Sequence, residues 1–253
     1  MLWLLEGVER LEESDVLPVL ARISPEHAER ISALRVPAAR VQSALAVLLL
    51  RLALRQAHGL SDFPVIRRGE RGKPYFPDCP EIRFNLSHCK TAVACAVDAS
   101  ALGVDVQDFR PLRRPACPIA ASQCLPLEGK VSAPDALTDE VVPEESKIPP
   151  IYRVLSEPER IWVAAGETAS EQDRRFVRVW TCKEAWGKAL GVGLDYGFRD
   201  TVFLPSAEPW TQDGFTFTHW DRPASALTVC AAHTMELRTV LVNQLLTQTN
   251  GGD

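Results

Sequence analysis

Lys183, Glu184 and Lys188 fall within the stretch Trp180-Thr181-Cys182-Lys183-Glu184-Ala185-Trp186-Gly187-Lys188. At about 100° per residue, a helix here has two faces. Val179, Cys182, Ala185, Trp186, Ala189 and Leu190 form an apolar arc that reads as core. Trp180, Lys183, Glu184, Gly187 and Lys188 form the other. That arc gathers one carboxylate and two ammonium groups around a residue without a side chain, a place where a ligand approaches backbone closely. A plain solvated face with a Glu184–Lys188 pair at i,i+4 fits this helix better when it is taken on its own.

Other residues narrow the choice. Asp105 and Gln107 share one face of an alternating stretch, Gly103 to Gln107, because strand side chains repeat every second residue. Ser87 and His88 end another alternating stretch, and Arg40 stands near the start of a long apolar helix. If these ends converge, the site holds carboxylates, an amide and several cations without a cysteine–histidine set. Oxygen ligands of this kind suit Mg²⁺, which fills its shell with phosphate and water. Lysines beside it suit a diphosphate. No GxxxxGK[ST] or GxGxxG stretch occurs, so neither a P-loop nor a dinucleotide-binding turn is expected.

The elements that must carry these residues are legible in outline. Residues 2–8 suggest a first strand. Ser24-Pro25-Glu26 and Leu155-Ser156-Glu157-Pro158-Glu159 look like helix starts, and Ala38 to Gln56 reads as a long helix. Residues 83–87, 91–97, 102–107, 199–205, 214–220 and 225–232 read as strands. Eight of the nineteen prolines fall between Pro111 and Pro150, which marks that stretch as an irregular insertion. One echo stands out: Ala-Val-Ala-Cys-Ala-Val-Asp at 92–98 and Leu-Thr-Val-Cys-Ala-Ala-His at 227–233. It suggests two similar α+β units, residues 1–110 and 151–246, with the 111–150 insertion between them and a frayed tail at 247–253.

Composition excludes some roles. The net charge of −5 argues against nucleic acid as a partner. Seven cysteines, without CxxC or zinc spacing, read as free thiols of a reducing cytoplasm. The N-terminal stretch lacks a signal-peptide pattern. The apolar run from Ala44 to Leu54 contains Arg51 and is too short for a bilayer, so no membrane role is expected.

Taken in order, five stretches resemble the 4'-phosphopantetheinyl transferase superfamily, in its longer pseudo-dimeric branch: Gly72-Lys73-Pro74, Phe84-Asn85-Leu86-Ser87-His88, Gly103-Val104-Asp105-Val106-Gln107, Leu155–Glu159, and Trp180–Lys188. The resemblance implies an α+β fold of two similar halves related by a pseudo-twofold axis, with the active site in the cleft between them. It implies an enzyme, acting as a monomer, that moves the 4'-phosphopantetheine arm of coenzyme A onto a serine of an apo acyl or peptidyl carrier protein and releases 3',5'-ADP. Mg²⁺, with Mn²⁺ as substitute, would be held by Asp105 and Glu184, with Gln107 at the position where many relatives carry a glutamate. Lys183 and Lys188 would meet the diphosphate. Arg40 and His88, with Ser87 beside it, would hold the 3'-phosphate, and Gly72, Lys73 and Pro74 would line the adenine pocket. The base for the serine is open among Glu184, water and Glu159, the last equally readable as a helix-start acid. The alternative is a non-catalytic module that binds coenzyme A or a carrier protein on the same fold.

Overall fold

The computed structural model describes residues 1–111, 154–192 and 198–248. The chain opens with β1 (Leu2–Glu6), then α1 (Glu13–Ile23), α2 (Pro25–Ser32) and α3 (Pro37–His58). A small ribbon, β2 (Arg67–Arg68) and β3 (Pro74–Tyr75), precedes β4 (Arg83–His88), β5 (Ala92–Asp98) and β6 (Gly103–Asp108). After α4 (Glu157–Ala164) and α5 (Ala169–Leu190) come β7 (Trp210–Gln212), β8 (Phe215–Asp221), β9 (Ser225–Ala231), β10 (Leu237–Val240) and α6 (Val242–Gln248). The fold is therefore mixed α and β.

Two four-stranded sheets result, ordered β10-β1-β5-β4 and β6-β9-β8-β7. Alternation decides how each is covered. In the first sheet Trp3, Leu5, Val93, Cys95 and Val97 face α1, α2 and α3, while Leu2, Leu4, Ala92, Ala94 and Ala96 face the second sheet. In the second, Val104, Val106, Leu227, Val229 and Ala231 meet that small-residue face. Their reverse side packs on α5 through Cys182, Ala185, Trp186, Phe217 and Cys230. The layers thus run helix, sheet, sheet, helix. The helix α3 passes a length and composition test for a membrane span, but here most of it is buried in the core formed with the first sheet.

The echoed stretches are β5 and β9, each a buried strand at the centre of its sheet. The sheets do not follow the boundaries at residues 110 and 151. β6 belongs to the second sheet, and β10 returns to pair in parallel with β1, with Leu2 opposite Leu237. Residues 199–205, expected as a strand, run from a turn into irregular backbone. The helix α1 was not foreseen; its start is set by reciprocal capping between Glu12 and Asp15. Apart from Pro111, the 111–150 insertion lies outside the described residues, as does the tail beyond Gln248.

The crossing of α5 over β6 requires Gly103. A Cβ there would stand 2.0 Å from the Ala185 carbonyl oxygen and 2.5 Å from the Ala189 nitrogen, both main-chain atoms. Backbone cannot yield as a side-chain tip can, so helix and strand would have to separate. We expect Gly103→Ala to cost about 3 kcal/mol in urea unfolding. Gly69→Ala is the control: its nearest neighbour would be 3.7 Å away, and its midpoint should barely move.

Candidate functional site

The two sheets meet along the outer edge of β6. Strand β4 is also at a sheet edge, and its alternation turns Asn85 and Ser87 away from the α3 side. Asn85 Oδ1 accepts from the Val104 N–H at 2.9 Å, and Ser87 Oγ accepts from the Val106 N–H at 3.2 Å. Lys188 Nζ donates to the Val104 carbonyl at 3.1 Å, and Lys73 Nζ donates to the Leu102 carbonyl at 3.2 Å and the Ala189 carbonyl at 2.9 Å. Side chains from three separate stretches thus take the place of a neighbouring strand. Asp108 does similar work farther along, accepting from the Lys90 and Thr91 amides and from the Thr91 hydroxyl.

Asp105 lies at the centre of this junction, only 1% exposed. Its Oδ1 accepts from Ser87 Oγ at 2.8 Å and Lys188 Nζ at 2.6 Å. Its Oδ2 is buried without a hydrogen-bond partner. A buried carboxylate oxygen left unpaired is costly, and a cation is the partner it fits. Glu184 stands close by. Burial pushes its carboxyl up to about 7, with the Asp105 charge adding to the rise and Lys188 opposing it. A buried carboxylate with an unpaired oxygen, beside a second carboxyl whose ionisation is opposed by burial, suits an oxygen-liganded divalent ion. Among the described residues no group of three or more Asp, Glu, His or Cys side chains forms a metal cluster. Gln107, half-buried, is two residues along the same strand face.

A cavity of about 220 Å³ opens beside this group, lined by Gly72, Lys73, Pro74, Asn85, Glu184, Gly187 and Lys188, with Arg71, Gly191 and Phe198. Gly191 ends α5 with φ 72°, the left-handed turn that stops the helix at this wall. Lys73 and Pro74 also line an adjoining cavity of about 440 Å³ with Tyr75, Arg83 and Phe84. His88 is near enough to feel Lys188 and Asp105. Partial desolvation and then the Lys188 charge push its imidazole below the ordinary value.

Three expected site residues do not join this group. Lys183 and Glu159 are wholly buried and pair at 2.9 Å. Adjacent helix residues diverge by about 100°, so Lys183 turns from Glu184 toward the segment after α5, where it donates to the Phe198 and Thr201 carbonyls. Burial pushes its ammonium down, and Glu159 opposes that shift. Glu159 accepts from the Ser156 amide at 2.7 Å, within the α4 capping box, and from the Phe203 amide at 2.7 Å. Arg40 is held in a two-pronged pair with Glu13 of α1, at 2.9 and 2.8 Å, and donates to the Leu34 carbonyl. It lines neither cavity. Without α1 in view, Arg40 looked free. Asn85, Arg71 and Phe198 are the site residues that sequence reasoning missed. Only Asn85 gave a signal, by sharing a strand face with Ser87.

Two outcomes follow from this geometry. Lys183→Met leaves Glu159 buried without its cation and should cost about 3–5 kcal/mol in urea unfolding, with Glu159→Gln restoring part of the loss in the double variant. At Glu184 the folded pKa is above the ordinary carboxylate value, so the folded state keeps a proton that the unfolded chain releases. Stability therefore falls as pH rises from about 4.5 to about 7. In metal-free buffer, Glu184→Gln should raise Tm by several degrees at pH 8 and leave it near wild type at pH 4.5; an unchanged gap between the two pH values counts against this account.

Comparison with known proteins agrees with the geometry. Residues 139–234 match the 4'-phosphopantetheinyl transferase superfamily. The chain is 32% identical over 189 residues to the 4'-phosphopantetheinyl transferase pptA of Paxillus involutus, covering 71% of this chain and 63% of that one. It is 41% identical over 66 residues to a 4'-phosphopantetheinyl transferase of Bacillus subtilis, covering 25% and 29%. It is 26% identical over 154 residues to the 4'-phosphopantetheinyl transferase psf-1 of Bacillus pumilus, covering 60% and 51%. The chain thus spans less than two thirds of the length of each of these relatives. Its five ordered motifs, four of them gathered around β6 and the fifth capping α4, accord with these matches, and over residues 139–234 the chain is similar to the 4'-phosphopantetheinyl transferase superfamily.

Proposed function

We propose that the protein transfers the 4'-phosphopantetheine arm of coenzyme A to a serine of an apo acyl or peptidyl carrier protein and releases 3',5'-ADP. The observation that carries this reading is the unpaired Oδ2 of buried Asp105 near Glu184, which lines a cavity together with Lys188 and Gly72–Pro74. In the transfer, the serine oxygen forms a bond to the phosphorus that carries the arm. The bond from that phosphorus to 3',5'-ADP breaks, and the serine proton passes to a base. Of the two carboxylates expected for that proton, Glu159 is committed to two amides and Lys183. Glu184 is the one that remains at the cavity.

In this reading Asp105 and Glu184 hold Mg²⁺, with Mn²⁺ as substitute and Gln107 completing the set. When bound, the ion supplies positive charge to the diphosphate. Lys188 faces the same diphosphate and stabilises charge on the departing oxygens. Gly72, Lys73 and Pro74 line the adenine side, and His88 reaches the 3'-phosphate, whose charge would raise its lowered pKa. Lys183 serves the fold, and Arg40 serves the α1–α3 contact.

We also read the chain as two similar halves about a pseudo-twofold axis, the architecture of the longer branch. Strands β1-β5-β4 and β6-β9-β8 share order and antiparallel sense. Each set has a 22-residue helix, α3 or α5, between its first strand and its hairpin. In this division β6 opens the second half and β10 with α6 returns to the first. A cytoplasmic monomer is the working state we propose. One chain supplies both sheets of the site, and the five described cysteines are free.

The test incubates the protein with coenzyme A, Mg²⁺ and a panel of apo carrier proteins, and follows carrier mass. One carrier should gain a single phosphopantetheine group, and EDTA should abolish the gain. Glu184→Gln should lower kcat at least about 100-fold with its circular dichroism unchanged. Coenzyme A binding without mass gain on any carrier would favour the non-catalytic module instead.

A further inference from the structure

Lys188 has all three of its ammonium protons engaged. It donates to Asp105 Oδ1 at 2.6 Å, to Ser87 Oγ at 3.1 Å and to the Val104 carbonyl at 3.1 Å. An ammonium has three donors, so in the ligand-free protein each one is paired within the chain. Ser87 Oγ in turn accepts from the Val106 amide and donates to Asp105. The result is a closed network on one carboxylate oxygen, while the other is buried and unpaired. Lys188 is also 27% exposed, so its head reaches the cavity that Glu184 lines.

We propose that Lys188 is the resident counter-ion of Asp105 in the ligand-free protein, and that its charge opposes entry of the divalent cation until an anionic diphosphate arrives. The inference rests on the transfer reading of this site and adds an order to it. With one ammonium already on Asp105, a second cation at Oδ2 meets a like charge across a single carboxylate. In a half-buried setting such repulsion weakens binding of the second cation, because it is poorly screened by water. A diphosphate brings negative charge to both cations at once and removes the conflict. Metal and diphosphate therefore assist each other's binding, and the coupling is reciprocal. The lysine assigned to charge on the oxygens of the departing 3',5'-ADP is thus also what keeps the empty site from filling with metal alone.

The experiment is calorimetric titration of Mn²⁺ into wild type, Lys188→Gln and Lys188→Arg, with and without coenzyme A. Gln keeps a donor for Ser87 or Val104 and removes the charge; Arg keeps the charge. In wild type, Mn²⁺ should bind more tightly with coenzyme A present. In Lys188→Gln, Mn²⁺ alone should bind about tenfold more tightly than to wild type, and coenzyme A should add little. Lys188→Arg should behave as wild type. Thermal melts without ligand check folding and give a second readout. Lys188→Gln should melt lower than wild type, and Mn²⁺ alone should raise its Tm more than it raises that of wild type. If Lys188→Gln binds Mn²⁺ no more tightly than wild type while the coenzyme A effect persists in wild type, the counter-ion role is overturned and the transfer reading stands. If wild type binds no Mn²⁺ even with coenzyme A, the reading of the site itself fails.

Discussion

A strand at the rim of a sheet leaves a row of amide and carbonyl groups unpaired, and burying that row without partners costs about 1–3 kcal/mol for each group. Strand β6 is such a rim, yet it lies between the two sheets with Val104, Asp105 and Val106 essentially shielded from water. The chain satisfies it without another strand. Asn85 and Ser87 accept the outward amides, and Lys73 and Lys188 donate to the outward carbonyls. A strand partner would have sealed the edge with backbone. Side chains seal it with polar groups that extend past it, and so the junction is lined with charge and hydrogen-bonding capacity. Ligand chemistry is possible here because the join is made by side chains.

The same choice explains why charged residues collect at this depth. Asp105 is tolerated near zero exposure because Ser87 and Lys188 both serve one of its oxygens. At Glu184 the Lys188 charge only partly offsets burial beside Asp105, and its carboxyl is pushed up to about 7. The two carboxylates are therefore unequal in the ligand-free protein: one is matched by a cation, the other is stabilised by a proton. A divalent ion would satisfy both. Such imbalance is how a site stores affinity for a ligand, at the expense of the stability of the empty state.

Much of this was readable from residue order. Alternation located β4, β5, β6, β8 and β9 to within about two residues at each end, and the paired Ala-Val-Ala-Cys and Leu-Thr-Val-Cys stretches fell on matching central strands. Asp105, Lys188 and Ser87 are joined by hydrogen bonds, and Lys188 lines one cavity with Glu184 and Gly72–Pro74. The failures share a cause: each depends on a partner distant in sequence. Arg40 is neutralised by Glu13 across two helices. Lys183 is drawn to carbonyls of a segment that looked like a strand but makes no strand at all. The end of the first half was set by charge and proline content, whereas the sheets trade β6 and β10 across that line. A helix wheel shows which residues share a face. It does not show what the rest of the chain lays against that face.

The Lys183–Glu159 pair illustrates what that blind spot hides. A buried ion pair is a poor way to gain stability, since desolvation offsets most of the attraction. Its value is in geometry. Glu159 ties the start of α4 to the Phe203 amide, and Lys183 ties α5 to the Phe198 and Thr201 carbonyls. Three segments are thereby fixed to one another by directed bonds, which apolar contacts alone would leave free to slide. Phe198 then forms part of the wall opposite Glu184 and Lys188. Phe203 stacks at a tilt against Trp186 and Phe217, locking the reverse side of α5. Glu184 and Lys183 are neighbours in sequence with opposite placements: one lines the cavity, and the other is bonded to the segment packed behind the helix. Replacing both buried charges by apolar groups could keep the packing area while loosening the placement of Glu184, because area has no direction and a hydrogen bond does.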